Sequence, residues 1–285
     1  MNRAYCLTVL SSWLCFGVGC ERVPGGSEER EILTIANLPE SHSSSSHPTN
    51  HHYFHHSPQA RDAEWGYEGD RGPEHWATLS PNYSLASLGT QQSPINITSV
   101  VGQSLPPLKF HYRMAEASLV NNGHTIQDTE PEGSRLHVGG KTFELKQFHF
   151  HAPSEHTIDG QQMPMEMHLV HKTTDGHVAV VGVMIVEGTH NENFAPIWDY
   201  LPTERNTEQR SPVRFNAMDL LPEDHSYYHY LGSFTTPPCT EGVLWFVLCE
   251  PIELSVEQIE QFKAIIDHNN RPVQPLNGRV VQVSQ

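Results

Sequence analysis

Cysteines, cations and long apolar runs are all scarce in this sequence, and each shortage excludes something. Five cysteines occur in 285 residues, and three of them (Cys6, Cys15, Cys20) fall within the first twenty. Only Cys239 and Cys249 remain in the body, so it has neither a disulfide framework nor a cysteine pair at zinc spacing. A bridge between those two is disfavoured, because VLWFVLC (243–249) reads as a strand. At roughly 3.3 Å per residue that strand carries their Cα atoms too far apart. Lysine and arginine number 17 against 33 acidic residues, a formal net charge of −16 with histidine neutral. Such a chain repels nucleic acid and anionic membranes at long range. The N-terminal apolar run, about 15 positions, is short for a membrane span.

What the leader does have is one early arginine, then apolar residues ending in small ones: MNRAYCLTVLSSWLCFGVGC (1–20) has the layout of a secretory signal peptide. Export, to a periplasmic or secreted location, is the expectation. Gly17-Val18-Gly19-Cys20 also resembles a bacterial lipoprotein cleavage box, with Gly17 where leucine is usual, which makes Cys20 a candidate lipid anchor. Residues 21–62 are polar and without apolar periodicity, so a disordered Ser/His-rich tether is expected. Its histidines at 42, 47, 51, 52, 55 and 56 suit loose capture of extra metal ions, or nothing more than a solvated linker.

From about residue 63 to 285 the texture changes to short alternating apolar runs punctuated by Gly, Pro and Asn, the pattern of one strand-rich domain. Strands are expected at 108–112, 118–122, 125–128, 135–140, 141–151, 166–172, 178–187, 228–233 and 243–254. The best helix is 255–268, with Ser255 and Gln258 forming a capping box and Val256, Ile259, Phe262, Ile265 and Ile266 forming an apolar stripe. No internal repeat is present.

Histidine is abundant, with 20 copies, and its arrangement in LKQFHFHAPSEH (145–156) is informative. On a strand, His149 and His151 share a face with Gln147 while Phe148 and Phe150 point to the other. On a helix the two imidazoles would diverge by roughly 200°. EMHLVH (166–171) alternates likewise and puts Glu166, His168 and Val170 on one face. Two neighbouring strands would then offer His149, His151 and His168 to one point. Three neutral imidazoles around an open fourth position suit a catalytic zinc ion. In a chain this rich in histidine, an H-x-H pair alone is weak support for a metal site.

The flanking residues sharpen the assignment. WGYEGDRGPEHW (65–76), QQSPINI (91–97), NNGHTIQ (121–127), QFHFHAPSEHTIDG (147–160), MEMHLVHK (165–172), VAVVGV (178–183), YLGSFTTPPCTEGVLWFVL (230–248) and RPVQPLNGR (271–279) occur in family order. Over this span the chain resembles the α-class carbonic anhydrases, in the manner of bacterial exported members. The resemblance implies an α+β, predominantly β fold: a large twisted, mostly antiparallel central sheet with peripheral helices. It implies Zn2+ held by His149, His151 and His168, with Gln147 and Glu166 supporting two of the ligands. The expected activity is reversible hydration of CO2 to bicarbonate by zinc-bound hydroxide. Thr235 and Glu155 take the places of the hydroxyl and carboxylate that orient the nucleophile, with Thr236 beside them. His124 takes the place of the proton shuttle, while Val170, Val180, Phe234 and Trp245 form the substrate pocket. His156 is expected in a buried hydrogen bond with Tyr230.

Two departures from the family pattern stand out. Phe234 replaces the usual leucine before Thr235, which should narrow the apolar mouth. Ala86 stands where exported relatives place the partner of Cys239, so Cys239 is expected as a free thiol. Against the enzyme stand an inactive carbonic-anhydrase-like binding module, disfavoured by the full set of site residues, and a metal buffer acting through the 42–56 histidines. Oligomeric state is not legible.

Overall fold

The computed structural model describes residues 63–284; the expected leader, Cys20 and the tether histidines lie outside them. The strands are β1 (Asn96–Ile97), β2 (Val101–Gln103), β3 (Lys109–His111), β4 (Met114–Asn121), β5 (Ile126–Thr129), β6 (Arg135–Val138), β7 (Lys141–His151) and β8 (Thr157–Ile158). They continue with β9 (Gln161–Gln162), β10 (Met165–Lys172), β11 (Val178–Glu187), β12 (Thr207–Asn216), β13 (Tyr227–Ser233), β14 (Glu241–Leu248), β15 (Ile252–Leu254) and β16 (Gln282–Ser284). Thirteen form one sheet with the spine β12-β4-β5-β7-β10-β11-β14-β13-β16-β2, and β1-β8-β9 form a small second sheet. Most neighbours are antiparallel; β11 runs parallel to β14 and β15, β16 parallel to β2, and β1 parallel to β8 in the small sheet.

The alternation read from the sequence divides the sheet into two faces. Phe148, Phe150, Met167 and Leu169 point into a large core that also contains Phe194, Trp198, Phe246 and Phe262, all essentially without exposed surface. Packing of this kind is the dominant favourable term in folding. His149, His151 and His168 lie on the opposite face, beside a smaller apolar cluster of Val180, Met184, Trp245 and Val247. β7 and β10 pair antiparallel with His168 opposite His149 and Glu166 opposite His151, so one pair of strands assembles all three imidazoles.

The sequence-based elements hold with local corrections. The expected 243–254 strand is two, because Cys249-Glu250-Pro251 interrupts it between β14 and β15, and proline cannot donate to a ladder. The 135–140 segment stops at Val138, since Gly139 and Gly140 adopt positive φ in a turn. The helix spans Val256–Lys263 with the capping box in place, but Val256 is 45% exposed and does not belong to its buried face. β12, at the sheet edge, was not expected: TEQRSPVRFN is mostly exposed, carries Pro212 and shifts register between Arg210 and Arg214, so it shows no clean alternation.

Candidate metal centre and active site

Each histidine on the β7–β10 face has one ring nitrogen committed to a partner. Nδ1 of His149 lies 2.8 Å from Gln147 Oε1, and Nε2 of His168 lies 2.8 Å from Glu166 Oε1. These are the supporting residues that the sequence singled out. The third partner was not foreseen: Nδ1 of His151 lies 2.7 Å from the Asn269 carbonyl oxygen, 118 residues along the chain. Such bonds fix the tautomer and raise ligand basicity. The remaining nitrogens converge, the three ligand atoms lying within 4.8 Å of one another. His151 Nε2 is buried without a hydrogen-bond partner, the condition of a nitrogen awaiting a metal. Burial lowers the pKa of all three rings, that of His151 to about 4, so they are neutral as ligands must be.

Glu166 anchors a wider network. Oε1 accepts from His156 as well as His168, and Oε2 accepts from the backbone N–H groups of Glu155 and His156. Burial alone would raise its pKa, but His156 and His168 outweigh it and hold the carboxyl well below its ordinary range. Beyond it, His156 Nε2 meets the Tyr230 hydroxyl at 2.7 Å, as expected, and Tyr230 meets Ser93 Oγ at 2.8 Å. Gly182 faces this carboxylate across β11: a Cβ there would stand 3.0 Å from Glu166 Oε1.

Glu155 is buried in the loop after β7. Its Oε1 accepts from Arg271 N at 2.8 Å, and its Oε2 lies 3.5 Å from His151 Nε2 and 3.8 Å from His168 Nδ1. Burial raises its pKa to about 7, with His168, the Thr235 hydroxyl and Arg271 pulling it down. Thr235 is buried close enough to lower the carboxyl's pKa, while Oε2 has no hydrogen-bond partner. Thr236 is half-buried beside it, its carbonyl accepting from Cys239 N. Val180 and Trp245 are buried in the small apolar cluster, and Val170 and Phe234 pack against it. Cys239 is a free, buried thiol that forms no bridge with Cys249.

His124 sits in an Asx turn whose Asn122 Oδ1 accepts from the backbone N–H groups of His124 and Thr125. Its ring stacks on Trp65 with centroids 3.8 Å apart and planes within 11°, a contact the sequence did not suggest. Arg271 and Asn269 were also missed as site residues. Arg271 donates to Gln92 Oε1 and to the Ser93 and Ala86 carbonyls, joining two of the matching segments, QQSPINI and RPVQPLNGR. Asn269 ties His124, Phe150 and Ala152 together through its side-chain amide. The sequence signal for Arg271 was that matching terminal segment; Asn269 lies just before it and carried none.

The family model for eukaryotic-type carbonic anhydrase matches residues 71–285. The chain belongs to the α-carbonic anhydrase family. It is 46% identical over 220 residues to a carbonic anhydrase of Pectobacterium carotovorum, covering 76% of this chain and 89% of that one. A solved α-carbonic anhydrase of Thermovibrio ammonificans, in complex with the inhibitor sulfanilamide, superposes with a TM-score of 0.76. That match has 46% identity and covers 77% of this chain and 99% of the other. Dioscorin complexed with ascorbate shares the fold as well, with a TM-score of 0.73 and 31% identity over 78% of this chain and 98% of the other. The chain is thus an enzyme of reversible CO2 hydration, acting on CO2 and bicarbonate. Carbonic anhydrases of this family depend on zinc in general, and the histidine trio is the candidate site for it here.

Proposed function

We propose that His149, His151 and His168 hold a zinc ion through His149 Nε2, His151 Nε2 and His168 Nδ1, and that the residues around them carry out CO2 hydration. The observation that carries this reading is the division of labour within each ring: one nitrogen bound to a protein acceptor, the other turned toward a common point. Zinc held there supplies a Lewis acid that brings the pKa of a water molecule near neutrality, an effect for which carbonic anhydrase is itself the reference case.

The protein's part is to aim the nucleophile, exclude competing polar groups and remove a proton. An ionised Glu155 is acceptor-only, so Thr235 donates to it and presents its own oxygen as an acceptor. A hydrogen of the attacking water then points at Thr235, and a lone pair is left facing CO2. Thr236 is the adjoining hydroxyl at the mouth. Val170, Val180, Phe234 and Trp245 give the small apolar substrate a dry wall. His124, half-buried and facing a cleft to solvent, takes the proton outward; the ordinary imidazole pKa lies near working pH, and burial lowers that of His124.

Chelator-stripped protein should lose CO2 hydration and regain it on addition of one equivalent of zinc, and sulfanilamide should inhibit the restored enzyme. Hydration that survives stripping would refute the metal reading. For location, the proposal is export directed by residues 1–20, with Cys20 as the lipid attachment point and 21–62 as a His-rich tether. Mass spectrometry of the mature N-terminus tests this, and an intact Met1 would refute it. Deleting 21–62 should leave hydration intact and remove only weak extra metal binding.

A further inference from the structure

Arg205 stands where the proton route leaves the protein. It lines a cleft of about 630 Å³ together with His124, Trp65, Glu64, Asn82 and Thr240. Its side chain lies flat on the turn that carries His124: a Cβ on Gly123 would come 2.1 Å from Arg205 Nε and 2.7 Å from Cζ. Gly123 also has φ +81°, so glycine is required there twice over. The Arg205 loop and the turn are clamped together by Asn121. Its Nδ2 donates to the Pro202 carbonyl at 3.1 Å, its Oδ1 accepts from Gly123 N at 2.9 Å, and its own carbonyl accepts from Asn206 N at 2.7 Å. The position of Arg205 beside His124 is therefore built into the backbone.

Its charge is also uncompensated. Among the described residues no hydrogen bond or ion pair involves the Arg205 guanidinium, which is exposed. Glu64, the acidic residue of the cleft, is paired with Arg71 at 2.7 Å. In a chain of net charge −16, small anions are repelled from most of the surface, and this cleft is a local exception. Guanidinium is a fork of donors that fits two oxygens of an oxyanion at once.

We propose that Arg205 is a docking point for anionic oxyacid buffers, such as phosphate or bicarbonate, which it holds beside His124 to receive the outgoing proton. The inference rests on the reading of His124 as the outward carrier. The step is a proton transfer: an N–H bond of the His124 imidazolium breaks and an O–H bond forms on monohydrogen phosphate. Dihydrogen phosphate and neutral imidazole result, with no change of oxidation state. Burial, and secondarily the Arg205 charge, hold the His124 pKa below the ordinary imidazole value, which favours release.

The test is the maximal hydration rate of the full-length zinc-loaded enzyme against buffer concentration at constant ionic strength, in phosphate and in imidazole. Arg205→Gln should raise the phosphate concentration for half-maximal rate roughly threefold or more. The imidazole curve should not move, Arg205→Lys, which keeps the charge but not the fork, should shift the phosphate curve less than Arg205→Gln, and Arg205→Glu should shift it further. Phosphate titrated into wild-type protein should also shift the His124 ring resonances, and Arg205→Gln should abolish that shift. An unchanged phosphate curve, equal shifts in both buffers, or a ring response that survives Arg205→Gln would overturn the proposal. His124→Ala with an undiminished rate in both buffers would instead sink the carrier reading and the proton step with it, while phosphate-induced shifts at the Trp65 indole would still report whether Arg205 docks the anion.

Discussion

Two buried carboxylate clusters on the same sheet differ in how their oxygens are used. In the first, Glu166 has four donors, two imidazoles and two backbone N–H groups, and its pKa is depressed despite complete burial. In the second, Asp128 on β5 and Glu130 just after it share one strand face without a cation. Asp128 Oδ1 accepts from Ser118 N and Glu130 Oε2 is 3.5 Å from Ser134 Oγ, while Asp128 Oδ2 and Glu130 Oε1 have no partner. Burial raises their pKa values to about 6 and about 7, with Asp128 adding to the effect on Glu130. Burial is common to both clusters; the donors decide which carboxyl stays ionised. Glu166 is thereby held ionised, while the β5 pair, like Glu155, keeps its protons to higher pH.

The comparison can be broken most severely at Glu166. Glu166→Ala strands His156, His168 and two backbone N–H groups, and should cost about 3–5 kcal/mol in urea unfolding. Glu166→Gln keeps the shape and should lower zinc affinity roughly 10- to 100-fold in competition with a chelator, the usual range for such partners, with carbonic anhydrase the reference case. A Glu166→Ala protein as stable as wild type would mean the donors are satisfied elsewhere.

The next effect lies in the β5 pair. Its folded pKa values exceed the ordinary 3.8 and 4.5, so the folded state binds more protons than the unfolded state between about pH 4 and pH 7. Stability from these groups is therefore present below that window and is lost as pH rises through it. Asp128→Asn with Glu130→Gln should flatten this slope and raise the urea midpoint at pH 8 but not at pH 4. Equal midpoint changes at both pH values would contradict it.

Smaller effects sharpen the contrast. Burial pushes the Cys239 thiol up to about 11, so it should resist thiol reagents in the folded protein and react on denaturation, and Cys239→Ser should lower the count gained on denaturation by one. On the apolar wall, Phe234→Leu should raise the hydration rate by widening the approach for CO2; unchanged stopped-flow kinetics would remove that role for the ring.

How much was legible follows from which interactions are local. The two faces of β7 and β10 could be read because side chains alternate strictly along a strand, so Gln147, His149 and His151 had to share a side, as did Glu166 and His168. The capping box at Ser255 and Gln258 was legible for the same reason. The edge strand β12 was not, because a strand with one exposed side and a proline carries no periodic apolar mark. Glu155 and Thr235 read as loop residues by local rules, and only the family resemblance marked them.

The sequence by itself determined which residues could face one another: the strand period, the turn glycines and the ligand-bearing motif are short-range properties of the chain. Only the tertiary structure decided which distant groups complete them. The Asn269 carbonyl that orients His151, the Arg271 side chain that ties two motifs together, and the placement of Arg205 on Gly123 each join segments at least 80 residues apart. Such partners depend on how the chain crosses itself, which periodicity does not encode.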